Sequence, residues 1–139
     1  MKFPRIKYTA GWEYVLKEDI LIETGILPEK VIHHQNDFIL HSNGVLQIYE
    51  GYPWDGATGG FDTKNSMVAS LVHDCFCEMM RTGELEYTKY SESVHNLLGD
   101  IAEDHGMSSW RANAWRWVTK MFQGGHPTHP DEHPILEAP

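Results

Sequence analysis

Two segments in the second half of the chain carry apolar residues at helical spacing, and this periodicity constrains the fold more than any other feature. They lie at about residues 66–81 and 88–105. The apolar face of the first segment comprises Met67, Val68, Leu71, Val72, Cys75, Phe76 and Met79. The stripe of the second comprises Tyr90, Val94, Leu97, Leu98 and Ile101. Side chains three or four positions apart share one side of an α-helix, so each segment predicts an amphipathic helix.

A third helix is predicted after Ser108 or Ser109, and it ends at Gly124. Its stripe comprises Trp110, Ala114, Trp117, Val118 and Met121. Gly83 and Gly106 follow the first two helices, where glycine commonly ends a helix. Before the first helix, Asp62, Thr63 and Asn65 are candidate N-caps.

The first half of the chain has the short apolar runs of β-strands. Residues 12–16 and 20–26 form two such runs, and Val31 and Ile32 predict an edge strand. Asn43-Gly44 lies between two further runs and predicts a tight hairpin in which both residues take positive φ. His33 and His34 fall in an expected loop, as solvated side chains rather than metal ligands.

These elements predict an α+β fold in which antiparallel hairpins pack on three C-terminal helices. At 139 residues the chain is long enough for one hydrophobic core. We expect one domain at residues 1–125, with a β-rich portion at 1–52 and a helical portion at 53–125. Residues 126–139 form a tail rich in proline and histidine. Prolines hold such a segment extended, so we expect a partner to order it.

Charge and hydropathy exclude some functions. The formal net charge of −9 argues against a nucleic-acid partner, because phosphate binding requires clustered basic residues. No apolar run approaches the roughly 18 residues that span a bilayer. The first residues, MKFPRIKYTAGWEY, have neither an apolar segment nor a cleavage site typical of a signal peptide. We therefore expect synthesis in the cytoplasm without secretion.

Cys75 and Cys77 are the two cysteines of the chain. Positions i and i+2 of a helix point in different directions, so these side chains cannot form a disulfide with each other. A metal site would require further soft ligands, which are not evident nearby in the sequence. We expect buried or half-buried thiols.

A polar cluster surrounds the start of the first predicted helix. Asp55 and the glycines of WDGATGG precede it, and His73-Asp74 lies within it, with His73 at the margin of the apolar face. His95 has the same marginal position on the second helix. Because the two stripes should face each other, we expect the His73 and His95 side chains to meet directly or through one water. Asp74 should turn toward the Asp55 loop.

Oxygen atoms dominate the candidate ligand set. Asp55, Asp74 and the backbone carbonyls that begin at Gly56 are hard ligands of the kind that calcium takes, and Asp62 offers a further carboxylate. A histidine beside such an ion can activate water as a general base. The alternative is a boundary histidine without a chemical role, with Asp74 paired to Arg81.

The order of these motifs resembles the phospholipase A2 superfamily, especially its small bacterial and fungal forms. A family of small bacteriophage proteins of unknown function is more similar still. The matching stretches are WDGAT, LVHDCFC, VHNLLGDIAEDHG and an aromatic-rich helix before FQGG, within roughly residues 45–125.

The resemblance implies a calcium site at Asp55, Gly56 and Asp74, with His73 as the base that activates water. It also implies an aspartate on the next helix that orients this base, and His95 stands in that position here. A neutral His95 could only accept a hydrogen bond from His73, whereas a charged one would repel it. Together, His73 and His95 would alternatively suit a transition metal.

Two functions follow from the resemblance. The first is a phage-encoded, metal-dependent hydrolase that acts on an ester of the host envelope, with membrane lipid as substrate. The second is a non-catalytic virion component that retains the fold. Here the partners would be other phage proteins or a second copy of the chain, bound through the tail, and the five tryptophans favour such interfaces.

Overall fold

Strands and helices occupy separate parts of the chain. The computed structural model describes residues 3–10, 13–54, 67–108 and 112. It divides into two units, Met1–Gly56 and Ala57–Pro139. All the described strands lie in the first unit and both described helices in the second. The predicted α+β class is confirmed.

Seven short strands are found among the described residues of the first unit. They are β1 (Tyr8–Thr9), β2 (Tyr14–Leu16), β3 (Ile20–Glu23), β4 (Ile32–His34), β5 (Phe38–Leu40), β6 (Val45–Ile48) and β7 (Pro53–Trp54). One sheet has the order β1-β2-β7 and the other the order β3-β6-β5-β4, and every pairing is antiparallel. The runs predicted at residues 12–16 and 20–26 correspond to β2 and β3.

The register of the four-stranded sheet aligns its buried side chains. Ile22 and Leu40 both pair with Leu46, so the three side chains share one face of the sheet, and all are fully buried. Phe38 and Ile48 continue this face one pair further along. Full burial of an aliphatic side chain of this size contributes about 1.5–3 kcal/mol. These residues form the core of the first unit.

The predicted hairpin joins β5 to β6, but its turn differs from the expected one. His41 N–H donates to Val45 O, and Gly44 N–H donates to His41 O, each at 2.9 Å. The turn therefore has a third loop residue, Ser42, in addition to Asn43 and Gly44. Only Gly44 takes positive φ, at 87°. The amide oxygen of Asn43 accepts from Val45 N–H at 3.1 Å, and a three-residue loop needs its left-handed residue only at the last position.

The expected loop at His33 and His34 is wrong. Both residues belong to β4, where His33 pairs with Ile39 and His34 pairs with Phe38. The His34 ring stacks on the Phe38 ring with centroids 4.7 Å apart. Gln35 closes the connection to β5 with a φ of 51°, which is uncommon for a residue other than glycine. This turn carries no glycine signal, which is why the sequence pattern missed it.

Strand β7 is also absent from the sequence prediction. It begins the segment that we expected to be helical or loop, and it pairs with β2. Next to it, Leu16 N–H donates to Tyr52 O at 3.0 Å. The Trp54 ring is buried and contacts the rings of Tyr8 and Tyr14. This aromatic contact anchors a strand of only two residues.

The second unit contains α1 (Met67–Arg81) and α2 (Tyr87–Asp104), which pack against each other. The two predicted helices are confirmed to within about a residue at the ends that the structure describes. Every residue predicted for the α1 face is buried. The third predicted helix lies outside the described residues apart from Ala112, as do the N-cap candidates before α1 and the tail at residues 126–139.

Glycines end both helices as expected. Gly83 follows α1 with a φ of 81°, and Gly106 follows α2 with a φ of 99°. At the end of α2, Gly106 N–H donates to Glu103 O and Met107 N–H donates to Ala102 O. These two bonds form a Schellman motif, which satisfies carbonyls that the helix itself leaves without partners. Neither described helix is long and apolar enough to cross a membrane.

Candidate functional site

The first half of α1 is buried on all sides. Residues 67–73 are buried without interruption, including the polar Ser70 and His73. The Ser70 hydroxyl donates a hydrogen bond to the backbone oxygen of Met67 at 2.8 Å. His73 is only 8% exposed, so its predicted position at the margin of the core is wrong. A helical wheel assigns one face to solvent, whereas this half of the helix has no solvated face.

His73 has two reactive neighbours on its own helix. The Cys77 sulfur lies 3.4 Å from His73 Nε2 and 3.8 Å from Nδ1. One carboxylate oxygen of Asp74 lies 3.7 Å from His73 Nδ1. Positions i and i+4 are adjacent on a helix surface, which brings the thiol to the ring. Below, His73, Asp74 and Cys77 are called the α1 cluster.

These neighbours hold a proton on His73. Burial disfavours the imidazolium and by itself lowers the pKa, but negative charge on the Cys77 sulfur and the Asp74 carboxylate outweighs it. Together they raise the pKa of His73 from 6.5 to about 10. A histidine with this pKa is protonated at neutral pH.

The first turn of α2 also faces the α1 cluster. Burial raises the pKa of the Tyr87 hydroxyl, and negative charge on the Cys77 sulfur adds to this effect. Tyr87 is the first residue of α2. The sequence prediction assigned a role to neither Cys77 nor Tyr87. The i, i+4 spacing of His73 and Cys77 was the signal that could have identified the first of them.

His95 lies on the packed side of α2. It is 3% exposed and stands among the buried positions Val94, Leu98 and Ala102. Like His73, it lies deeper than the predicted margin, because Gly99 and Ala102 widen the buried arc beyond the large apolar residues. Direct or one-water contact between His73 and His95 stays a prediction.

The expected calcium ligands divide between described and undescribed residues. Asp74 is half-buried on α1, with its side chain 27% exposed. Asp55, Gly56 and Asp62 lie outside the described residues. In the expected calcium site, Asp74 would supply one of the six to eight oxygens that the ion takes. The other two residues of the α1 cluster offer nitrogen and sulfur atoms, which calcium does not favour as ligands.

The prediction of two thiols is confirmed. Cys75 is buried and Cys77 is half-buried, and no disulfide joins them. Comparisons with protein-family models, with curated proteins and with solved structures found no match. The chemistry of the α1 cluster is therefore the basis for a functional proposal. It combines a proton donor, a carboxylate and a nucleophile on one helix.

Proposed function

We propose that this chain is an ester hydrolase whose reaction centre is His73. The observation that carries the proposal is a buried imidazole with the Asp74 carboxylate 3.7 Å away and the Cys77 sulfur 3.4 Å away. Strongly perturbed ionisable groups of this kind are concentrated at functional sites. The sequence resemblance supports the same residue, since it assigns His73 as the base that activates water.

Protonation of His73 decides how this reaction depends on pH. A general base must accept a proton, but the pKa of about 10 keeps the ring protonated at neutral pH. As long as the pH is below this pKa, each unit of increase in pH raises the neutral fraction of the ring about tenfold. Water activation by His73 should accelerate by the same factor. In its charged form, the ring would instead donate a proton to the leaving alkoxide.

A divalent cation is part of the proposal through the resemblance. The Asp74 carboxylate would hold it, together with Asp55 and the Gly56 carbonyl. When bound, calcium supplies a Lewis acid that polarises the ester carbonyl. Positive charge beside the imidazole also lowers its pKa, because two like charges disfavour the protonated ring. The chain's own contribution remains a histidine that is poised to exchange a proton.

The substrate class rests on the bacteriophage resemblance. We propose an ester of the host envelope, with membrane lipid as the first candidate. The chain would be made in the host cytoplasm and act on the envelope or within the virion. A non-catalytic virion component is the alternative, and the tail at residues 126–139 would then bind other phage proteins or a second copy.

Ester hydrolysis by purified protein tests the proposal. The substrates are a chromogenic short-chain ester and phospholipid vesicles, each assayed with calcium and with a chelator. We expect turnover that His73→Gln reduces at least about a hundredfold, the lower end of the range for general acid–base catalysis.

His105→Gln provides the matched control. His105 also neighbours an aspartate, with Nε2 lying 3.9 Å from an Asp104 carboxylate oxygen, but it lies at the C-cap of α2. Its substitution should leave turnover unchanged. Turnover that is absent from the natural chain, or equal in the two variants, rejects the hydrolase and favours the virion component.

A further inference from the structure

The four-stranded sheet ends in two edge strands. β3 forms one edge and β4 the other, and no further strand pairs with either of them in the part of the chain that the structure describes. An edge strand presents a row of backbone N–H and C=O groups that can pair with another strand, and proteins usually protect it with charged side chains, proline or a bulge. The residues at these two edges therefore decide whether the sheet can add a strand.

Hydrogen bonds inside the sheet identify the residues that face outward at the β3 edge. Directly after β3, Thr24 N–H donates to Gly44 O at 3.0 Å, so the even-numbered residues of this strand bond to β6. The backbone groups of Leu21 and Glu23 alternate with them and point away from β6. The side chain of Leu21 is 61% exposed. An apolar side chain thus stands in the middle of this edge.

The β4 edge has the same arrangement. Directly after β5, His41 N–H donates to Val45 O at 2.9 Å, so the odd-numbered residues of β5 bond to β6 and the even-numbered ones bond to β4. Even-numbered residues of β5 pair with even-numbered residues of β4. The backbone groups of Val31 and His33 therefore point away from β5. Both side chains are exposed, Val31 by 40%.

Side chains at the two edges are complementary when the strands run antiparallel. The register of the sheet places Leu21, Val31 and His33 on one face, which is opposite to the buried core face. When Leu21 lies opposite Val31 of another copy, the exposed apolar side chains of the two edges meet. The same register places Asp19 opposite His33, where the imidazole can donate a hydrogen bond to the carboxylate.

Pairing of β3 with β3 of a second copy is less favourable. If the two Leu21 side chains lay opposite each other, Glu23 would lie opposite Asp19, and like charges in directly opposite positions are destabilising. A shift of the register by two residues would place Leu21 opposite one of these carboxylates instead. The β4 edge is therefore the better partner for β3, both in apolar contact and in charge.

We propose that the β3 edge of one copy of this chain pairs antiparallel with the β4 edge of the next copy, with Leu21 opposite Val31. This register also places Ile20 opposite Ile32, so the core face stays apolar across the contact. The contact uses different surfaces on the two copies, so it generates a ring if the rotation closes and a filament if it does not. It is independent of ester hydrolysis, and it would supply the self-association of the alternative virion component.

Charged substitutions at the two edges test this register. Sedimentation velocity over a range of concentrations measures self-association of the natural chain and of each variant. Leu21→Glu and Val31→Glu should each raise the dissociation constant about fivefold, the upper end of what one cross-strand pair contributes. Val31→Lys in the Leu21→Glu background places opposite charges across the contact. It should return the dissociation constant to within about twofold of the natural value.

Leu27→Glu is the matched control, because Leu27 is 59% exposed and lies outside both edge strands. It should leave self-association unchanged. A natural chain that stays monomeric overturns the proposal. Self-association that Leu21→Glu and Val31→Glu do not weaken also overturns it, since the contact would then belong to the tail or to another surface. Weakening by Leu21→Glu that Val31→Lys does not reverse rejects the head-to-tail register, and the proposal with it.

Circular dichroism establishes that each variant keeps the native fold. If a charged variant does not fold, Leu21→Thr and Val31→Thr decide the question, because threonine suits a strand and removes most of the apolar contact. Weaker self-association in both threonine variants supports the proposal. Self-association equal to that of the natural chain in either of them overturns it.

Discussion

The proton on His73 should make the stability of the folded chain depend on pH in a defined direction. The folded-state pKa of about 10 lies above the unfolded value of 6.5, so the folded protein binds this proton more tightly. The resulting stabilisation is fully present below pH 6.5. It decreases as the pH rises from 6.5 to 10, and it is lost above that range.

The magnitude follows from the difference between the two pKa values. The difference of 10 − 6.5 corresponds, at about 1.36 kcal/mol for each unit, to about 5 kcal/mol. Total stabilities of folded domains are about 5–15 kcal/mol, so this contribution is large enough to measure. His73 is well buried, and solvent therefore screens its neighbours only weakly.

Urea unfolding at pH 6, 8 and 9.5 measures the effect in the natural chain and in His73→Gln. The substitution also removes packing contacts, but that loss does not depend on pH. The difference in unfolding free energy should therefore shrink with rising pH, by about 1.4 kcal/mol for each unit in the middle of the range. His105→Gln is the control for the general effects of replacing a histidine of this unit. A constant difference for His73→Gln from pH 6 to 9.5 would refute the charged imidazole.

Three further predictions concern the turn, the tail and the loop before α1. Gly44→Ala should destabilise the chain in urea by about 2–3 kcal/mol, because Gly44 has a φ of 87° and an added Cβ would lie 3.3 Å from backbone atoms of Gly25 and Ile26. Gly51 has a similar φ of 94°, but an added Cβ would meet open space there. Gly51→Ala should therefore reduce the free energy of unfolding by about 1 kcal/mol less than Gly44→Ala does. Equal losses in the two variants would reject the steric argument. Deletion of residues 126–139 should leave the melting temperature of a monomeric sample unchanged and should weaken assembly, which analytical ultracentrifugation measures. A large fall in melting temperature would instead mean that the tail packs on its own chain. Asp55→Asn should weaken the calcium dependence of ester turnover and preserve the circular dichroism spectrum, and unchanged calcium dependence would remove Asp55 from the ligand set.

Local pattern alone predicted both described helices and the position of one hairpin. Helix periodicity, terminal glycines and the Asn43-Gly44 pair depend on residues close together in the sequence, so they can be recognised without the fold. The α1 face and the two thiols followed from the same periodicity. Strand β7 could not be predicted in this way, because a strand of two residues exists only through its pairing with β2 and the contacts of Trp54.

The candidate site likewise has features that the sequence predicted and features that only the tertiary structure determined. The sequence singled out His73, Asp74 and His95 from their positions near the apolar stripes. Tertiary structure decided how deeply the two histidines are buried, because burial depends on what covers a helix rather than on its own periodicity. It also decided which side chain meets the His73 ring. The i, i+4 spacing permits contact with Cys77, but the rotamers and the surrounding packing bring the sulfur to 3.4 Å from Nε2 and keep the imidazole charged.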